Sequence, residues 1–119
     1  MRYDAPAGAD DAPPEPSTIA DRVEETIAEN EVVLFMKGNA LMPQCGYSRR
    51  ALGLIDAHRE EYEVVNVLDA LDAYREALET HSGWETIPQA FVDGEFVGGS
   101  DILAELEERG ELAATLNAE

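Results

Sequence analysis

Apolar residues change their period several times along the chain, and each change marks an element. Ile19, Val23 and Ile27 recur at helical spacing, which predicts a first helix from a Ser17 or Thr18 cap down to Asn30. The run "EVVLFM", residues 31–36, is β-branched, apolar and short, as in a central strand buried on both faces. Lys37, Gly38 and Asn39 end it, and the loop "GNALMPQ" leads to a second helix from Cys45 or Gly46 to His58, with Leu52 and Ile55 inward. "YEVVNV" reads as the second strand. Residues 69–81 form a third helix with Leu71, Tyr74 and Leu78 on one face, broken at Ser82 and Gly83. In "QAFVDGEFVGG" two short strands flank Asp93-Gly94, the dipeptide of a type I′ hairpin. A last helical stretch spans Ile102 to Leu116 with a break at Gly110. The order αβαβαββα implies a parallel strand pair first and an antiparallel hairpin after it, an α/β domain with a four-stranded mixed sheet flanked by helices.

Length and charge narrow the functional classes. A chain of 119 residues suits one small domain. The opening "MRYDAPAGADDAPPEP" holds four prolines and few large apolar residues, so residues 1–16 are expected to be a disordered acidic leader before a domain at 17–119. Asp4, Asp10, Asp11 and Glu15 against Arg2 leave −3 there, so −15 of the formal −18 belongs to the folded surface. A field of that sign repels nucleic-acid phosphates and anionic lipid, and no apolar run approaches a membrane span. The chain is therefore read as cytoplasmic, with neither nucleic acid nor membrane as partner. Acidic residues in place of surface lysines resemble the habit of proteins from salt-loving organisms, where screening shortens the self-repulsion.

The candidate chemistry centres on the only cysteine, Cys45, eight residues after the only lysine, Lys37. A lone cysteine forms no internal disulfide, and His58 and His81, far apart and without a second thiol, make no zinc site. If Cys45 stands where a strand-to-helix loop enters helix two, the free N–H groups and positive end of that helix stabilise the thiolate, and a nearby ammonium adds to this. The bland reading of a lone cysteine is a small buried hydrophobe. Against it, Pro43, Gln44, Gly46 and Ser48 around Cys45 are loop and cap residues. Lys37 reads equally well as a partner of the thiolate and as an ordinary strand-end residue.

Four segments in register carry a family resemblance. "KGNALMPQCGYS" resembles the lysine-glycine and CGFS segments of the monothiol glutaredoxins, and "WETIPQAFVDGEFVGGSDIL" is similar to that family's TxP segment, hairpin and GG-x-D segment. The likeness runs from about Ser17 to Leu116 and implies a thioredoxin-like fold. It further implies glutathione, or a related low-molecular-weight thiol such as γ-glutamylcysteine, bound beside Cys45. Ile87 and Pro88 match the cis-proline loop, where the backbone before proline pairs with an extended peptide, although without the resemblance Pro88 reads as a trans proline starting a strand after a loop. Gly99, Ser100 and Asp101 match the segment that takes the γ-glutamyl carboxylate at a helix N-terminus, although a plain Ser/Asp helix cap reads the same way. Arg75 matches the arginine for the glycyl carboxylate, and also reads as a helix-surface residue. Trp84 is read as packing under the loop. Tyr47 stands where the CGFS motif has phenylalanine, a change that adds a hydroxyl at the rim of the site.

Two mechanisms follow from the resemblance. In the favoured one, two protomers each supply Cys45 and one bound glutathione, so that four sulfurs hold a [2Fe-2S] cluster across a homodimer; scaffold and acceptor apoproteins of iron–sulfur assembly are the implied partners. In the alternative, Cys45 thiolate takes a glutathionyl group from a protein mixed disulfide and a second glutathione releases it, which is monothiol oxidoreductase chemistry. Ser48 occupies the position of the second cysteine of dithiol relatives, closing the intramolecular disulfide route. A third reading is an interaction module with an inert thiol.

Overall fold

The computed structural model describes residues 16–118, so the expected leader lies outside the described residues except for Pro16. That proline begins the first helix, α1 (Pro16–Glu29). The helix thus starts one residue before the expected cap and takes in Ser17, because proline is tolerated in a first turn, where its missing N–H has no intrahelical partner.

Strand β1 (Val32–Met36) is buried at every position. Helix α2 (Gly46–Asp56) follows, ending two residues short of the expected His58, and then β2 (Glu63–Asn66). The single helix expected over residues 69–81 divides into a 3-10 turn, Leu68–Ala70, and α3 (Leu71–Ser82). The divider is Ala70, whose φ of −151° is not helical. Gly83, at φ +82°, closes α3 in the left-handed region as the Ser82-Gly83 break anticipates. Strands β3 (Gln89–Val92) and β4 (Glu95–Gly98) form the hairpin, with Asp93 at φ +52° and Gly94 at φ +83°, both positive as a type I′ turn requires. Helices α4 (Ser100–Glu108) and α5 (Leu112–Thr115) are separated at Gly110.

The sheet order is β2-β1-β3-β4, with β1 parallel to β2 and antiparallel to β3, and β3 antiparallel to β4. Side-chain alternation sends the two halves of β1 to opposite faces. Val32, Leu34 and Met36 pack with Ala51, Leu52 and Ile55 of α2, Leu103 of α4, and Leu112 and Leu116. Val33 and Phe35 pack with Ile19, Val23 and Ile27 of α1, Tyr74, Ala77 and Leu78 of α3, and Phe91 of β3. The rings of Phe35 and Phe91 meet edge to face at 5.8 Å, an arrangement that contributes about 0.5–1.5 kcal/mol beyond area burial. The result is a three-layer thioredoxin-like fold in which the first halves of α2 and α4 and the loop before β3 gather at one end of the sheet.

Gly98 makes that gathering possible. It lies beside a bulge between Ala90 and Phe91 of β3, at φ +150°, and a Cβ there would stand 2.5 Å from the Cβ of Ile102. Only glycine lets β4 pass this close to the first turn of α4.

Candidate functional site

Cys45 is the N-cap of α2, with extended backbone (φ −155°, ψ 137°) and partial burial. Its carbonyl accepts the first helical bond from the Arg49 N–H at 2.9 Å. Burial is the largest influence on the thiol and pushes its pKa up. The backbone N–H groups of Ser48 and Tyr47, the Ser48 hydroxyl and, last in size, the Lys37 ammonium push it down; together they prevail, and the thiol titrates below its ordinary value. The helix terminus expected from the sequence thus does more for the thiolate than the lysine does.

Two side chains distant in sequence fasten this corner. Ser48 is fully buried, and its Oγ accepts the Lys37 backbone N–H at 3.0 Å, tying the end of β1 to the first turn of α2. Asn66, at the end of β2, accepts the N–H groups of Gly38 and Leu68 on its Oδ1, each at 3.0 Å. The loop between Lys37 and Cys45 is closed by Gln44 N–H donating to the Lys37 carbonyl at 2.9 Å, and Asn39 Oδ1 accepts from Leu41 and Met42 N–H. Gly38, at φ +93°, is indispensable here, since a Cβ would lie 2.5 Å from the Met42 carbonyl oxygen. This fastening leaves Leu41 93% exposed beside the thiol loop.

A groove of about 700 Å³ is lined by Tyr47, Trp84, Thr86, Ile87, Pro88 and the turn from Phe96 to Ile102. Tyr47 is the second residue of the helix that Cys45 caps, so the groove begins next to the thiol. The Ile87–Pro88 bond is cis, as the family resemblance implies. Gly99 is the N-cap of α4, and Gly99, Ser100 and Asp101 all line the groove, so that helix end faces it. Asp101 is exposed, with Arg50 Nη1 3.9 Å from its carboxylate, a weak surface pair that leaves it open to a second cation.

The structure thus brings Tyr47, Ile87, Pro88, Gly99, Ser100 and Asp101 to one groove; Cys45 caps the helix that carries Tyr47, and Lys37 is near enough to act on its thiol, but neither is among the lining residues. Arg75 is not among the lining residues: it sits on α3 with its guanidinium 3.8 Å from Asp72. Trp84 corrects the sequence reading. It is 60% exposed and forms a wall of the groove, because the Ser82 hydroxyl accepts its N–H at 3.0 Å and Gln89 Nε2 donates to its carbonyl at 2.7 Å, holding the backbone while the ring stays out. Sequence reasoning did not single out Gln89, Asn66 or the link from Ser48 to Lys37. The signal available was a glutamine at the head of an apolar strand, "QAFV", where burial of an amide calls for a purpose.

Among the described residues no group of three His, Cys, Asp or Glu side chains could hold a metal ion, and Cys45 is the one thiol of the chain. No helix among the described residues is long and apolar enough to cross a membrane.

The pattern of the glutaredoxin family matches residues 32–97. The chain is 45% identical over 103 residues to the bifunctional monothiol glutaredoxin-S16 of Arabidopsis thaliana chloroplasts, covering 83% of this chain but only 34% of that protein. It is 42% identical over 96 residues to glutaredoxin 4 of Escherichia coli K12, covering 81% of this chain and 83% of its relative. A buckwheat glutaredoxin–glutathione complex superposes with a TM-score of 0.71 at 26% identity, over 87% of this chain and 94% of that one. The chain therefore belongs to the glutaredoxin family, and with Cys45 as its single cysteine it is a monothiol member.

Proposed function

We propose that this monothiol glutaredoxin carries a [2Fe-2S] cluster as cargo and hands it on in iron–sulfur assembly. One observation carries the reading: the only thiol of the chain stands partly exposed at a helix N-terminus that favours its thiolate, beside a groove with room for a small thiol. Thiolate is the ligating form, and a four-sulfur set built on one cysteine per chain needs two protomers and two exogenous thiols. Glutathione, or a related small thiol, is the second ligand in this reading, supported by its presence in the buckwheat complex. In the groove, the Ile87 backbone would pair with its extended chain, the α4 N-terminus would take a carboxylate, and Asp101 an ammonium. Lys37 lies on the thiol side, where its charge serves the thiolate or the ligand's second carboxylate; Arg75, which does not line the groove, is the other candidate for that carboxylate. Scaffold and acceptor apoproteins, in the cytoplasm, complete the proposal. The acidic folded part, which carries −15 of the formal −18, fits a milieu of high salt.

The lowered thiol pKa also supports a second reading, oxidoreduction. Cys45 thiolate attacks the glutathionyl sulfur of a protein mixed disulfide, the protein thiolate leaves and takes a proton, and Cys45 is left as a mixed disulfide with glutathione. A second glutathione thiolate then attacks that bond, releasing glutathione disulfide and the Cys45 thiolate.

Anaerobic reconstitution with iron, sulfide and glutathione at high salt separates the readings. A brown dimer for the wild type, with a colourless monomer for Cys45→Ser, is the expected result. A colourless wild type that reduces glutathionylated protein quickly would make the oxidoreductase the function. A wild type that does neither would leave an interaction module with an inert thiol.

A further inference from the structure

Behind the groove lies a buried amide that none of this chemistry has used. Gln89 opens β3, pairs across the ladder with Phe35 and is 1% exposed. Its Nε2 donates to the carbonyls of Trp84 at 2.7 Å and Thr86 at 3.0 Å, so both N–H bonds go to the loop before it. Its Oε1 is buried without a hydrogen-bond partner among the described residues. Rotating the amide by half a turn would set that oxygen against two carbonyl oxygens, so the orientation is fixed by its acceptors. A buried acceptor left unpaired destabilises the fold, and methionine would fill similar space without that penalty. What methionine cannot do is hold two carbonyls.

The consequence for the groove follows from peptide planarity. Ile87–Pro88 is the only cis bond among the described residues, so the Trp84–Glu85 and Thr86–Ile87 peptides are trans, each N–H opposed to its C=O. Drawing the Thr86 carbonyl inward to Gln89 therefore turns the Ile87 N–H outward, and drawing in the Trp84 carbonyl does the same for Glu85. Trp84, Thr86 and Ile87 all line the groove. The geometry points to Gln89 as a positioning residue: it touches no ligand, and it sets the 84–87 loop so that the Ile87 N–H is presented to the extended backbone of a bound thiol peptide. This rests on the small-thiol reading of the groove.

The test uses the full chain, with Gln89→Met and Gln89→Glu, titrated with reduced glutathione and followed by amide NMR. Gln89→Met is expected to weaken glutathione binding about tenfold, the effect of losing roughly one such restraint. The pH profile of Cys45 alkylation should not move, because the thiolate is stabilised from α2 and β1. Gln89→Glu, whose buried carboxyl stays protonated among carbonyls and donates one bond, should bind between the two. A folded Gln89→Met that binds glutathione as the wild type does would overturn the inference; if that variant fails to fold, equal binding by Gln89→Glu and wild type would do so. If the wild type itself shows no saturable binding, the small-thiol reading fails, and the loop is then judged alone. Shifted Glu85 and Ile87 amides in either folded variant would uphold the clamp, and unmoved ones would overturn it.

Discussion

Ser48→Ala removes one hydroxyl that serves two neighbours at once. Ser48 Oγ accepts the Lys37 N–H at 3.0 Å, which leaves its proton free for the Cys45 sulfur, one of the groups that lower that thiol's pKa. A hydrogen bond to an ionised acceptor contributes about 1.5–3 kcal/mol, and the lower end applies because water reaches a part-exposed sulfur and replaces some of the lost bond. At about 1.4 kcal/mol per factor of ten, the thiolate population on the acid side of its titration should fall about tenfold. Alkylation by iodoacetamide across pH measures this directly, since only the thiolate reacts: the acid limb should drop about tenfold while the alkaline plateau stays. Denaturant unfolding of the same variant should show a loss of about 1 kcal/mol for the part-buried Lys37 N–H left without its acceptor. Lys37→Gln supplies the contrast. Its ammonium acts on the thiol only through space, so its effect should be smaller and should vanish at molar salt, whereas the Ser48 effect persists. Alkylation of Ser48→Ala indistinguishable from wild type at every pH would refute the assignment of that hydroxyl to the thiolate.

A lowered thiol pKa is also a stability statement. The folded state releases the Cys45 proton at lower pH than the unfolded chain, so the stabilisation is complete above the ordinary thiol value of about 8.5 and is lost as pH falls through the lowered one. The stability of wild type relative to Cys45→Ser should therefore rise with pH across that window in urea titrations, and a flat difference would contradict the shift. Gly38→Ala meets both a positive φ and a backbone oxygen 2.5 Å from its Cβ, so a loss of about 2 kcal/mol or more is expected, with faster proteolysis of the thiol loop. Arg59→Ala should cost about 1–3 kcal/mol by releasing Glu31 at 3.1 Å and the Leu116 carbonyl at 2.9 Å, yet leave Cys45 alkylation unchanged. With −18 on the chain, the thermal midpoint should climb with added salt well beyond what an uncharged osmolyte gives; parity between the two would remove self-repulsion as a cause.

Elements held together by near neighbours were legible in the chain, and so was the family. The apolar period located α1, the doubly buried β1 and the inner faces of α2 and α3, because each depends on contacts within a few residues. Asp93-Gly94 announced its hairpin because few other residues adopt positive φ at both turn positions. The lone thiol before a helix announced its lowered pKa for the same local reason: the N–H groups that lower it belong to residues two and three places on. The small errors, Ser17 as cap and one helix over residues 69–81, fell at element ends, where local preferences nearly balance.

Folding alone decided what lies around that thiol. Periodicity assigns a residue to a face but not to a partner, so the apolar pattern neither joined β1 to β3 nor set the order β2-β1-β3-β4. Ser48 reaches back eleven residues to Lys37, and Asn66 twenty-eight to Gly38. Gln89 holds Trp84 at the groove wall, while Arg75 stays with Asp72 on the flank of α3. Each of these is a directional bond between groups brought together by burial of the two cores, and such bonds acquire partners only once the chain has packed.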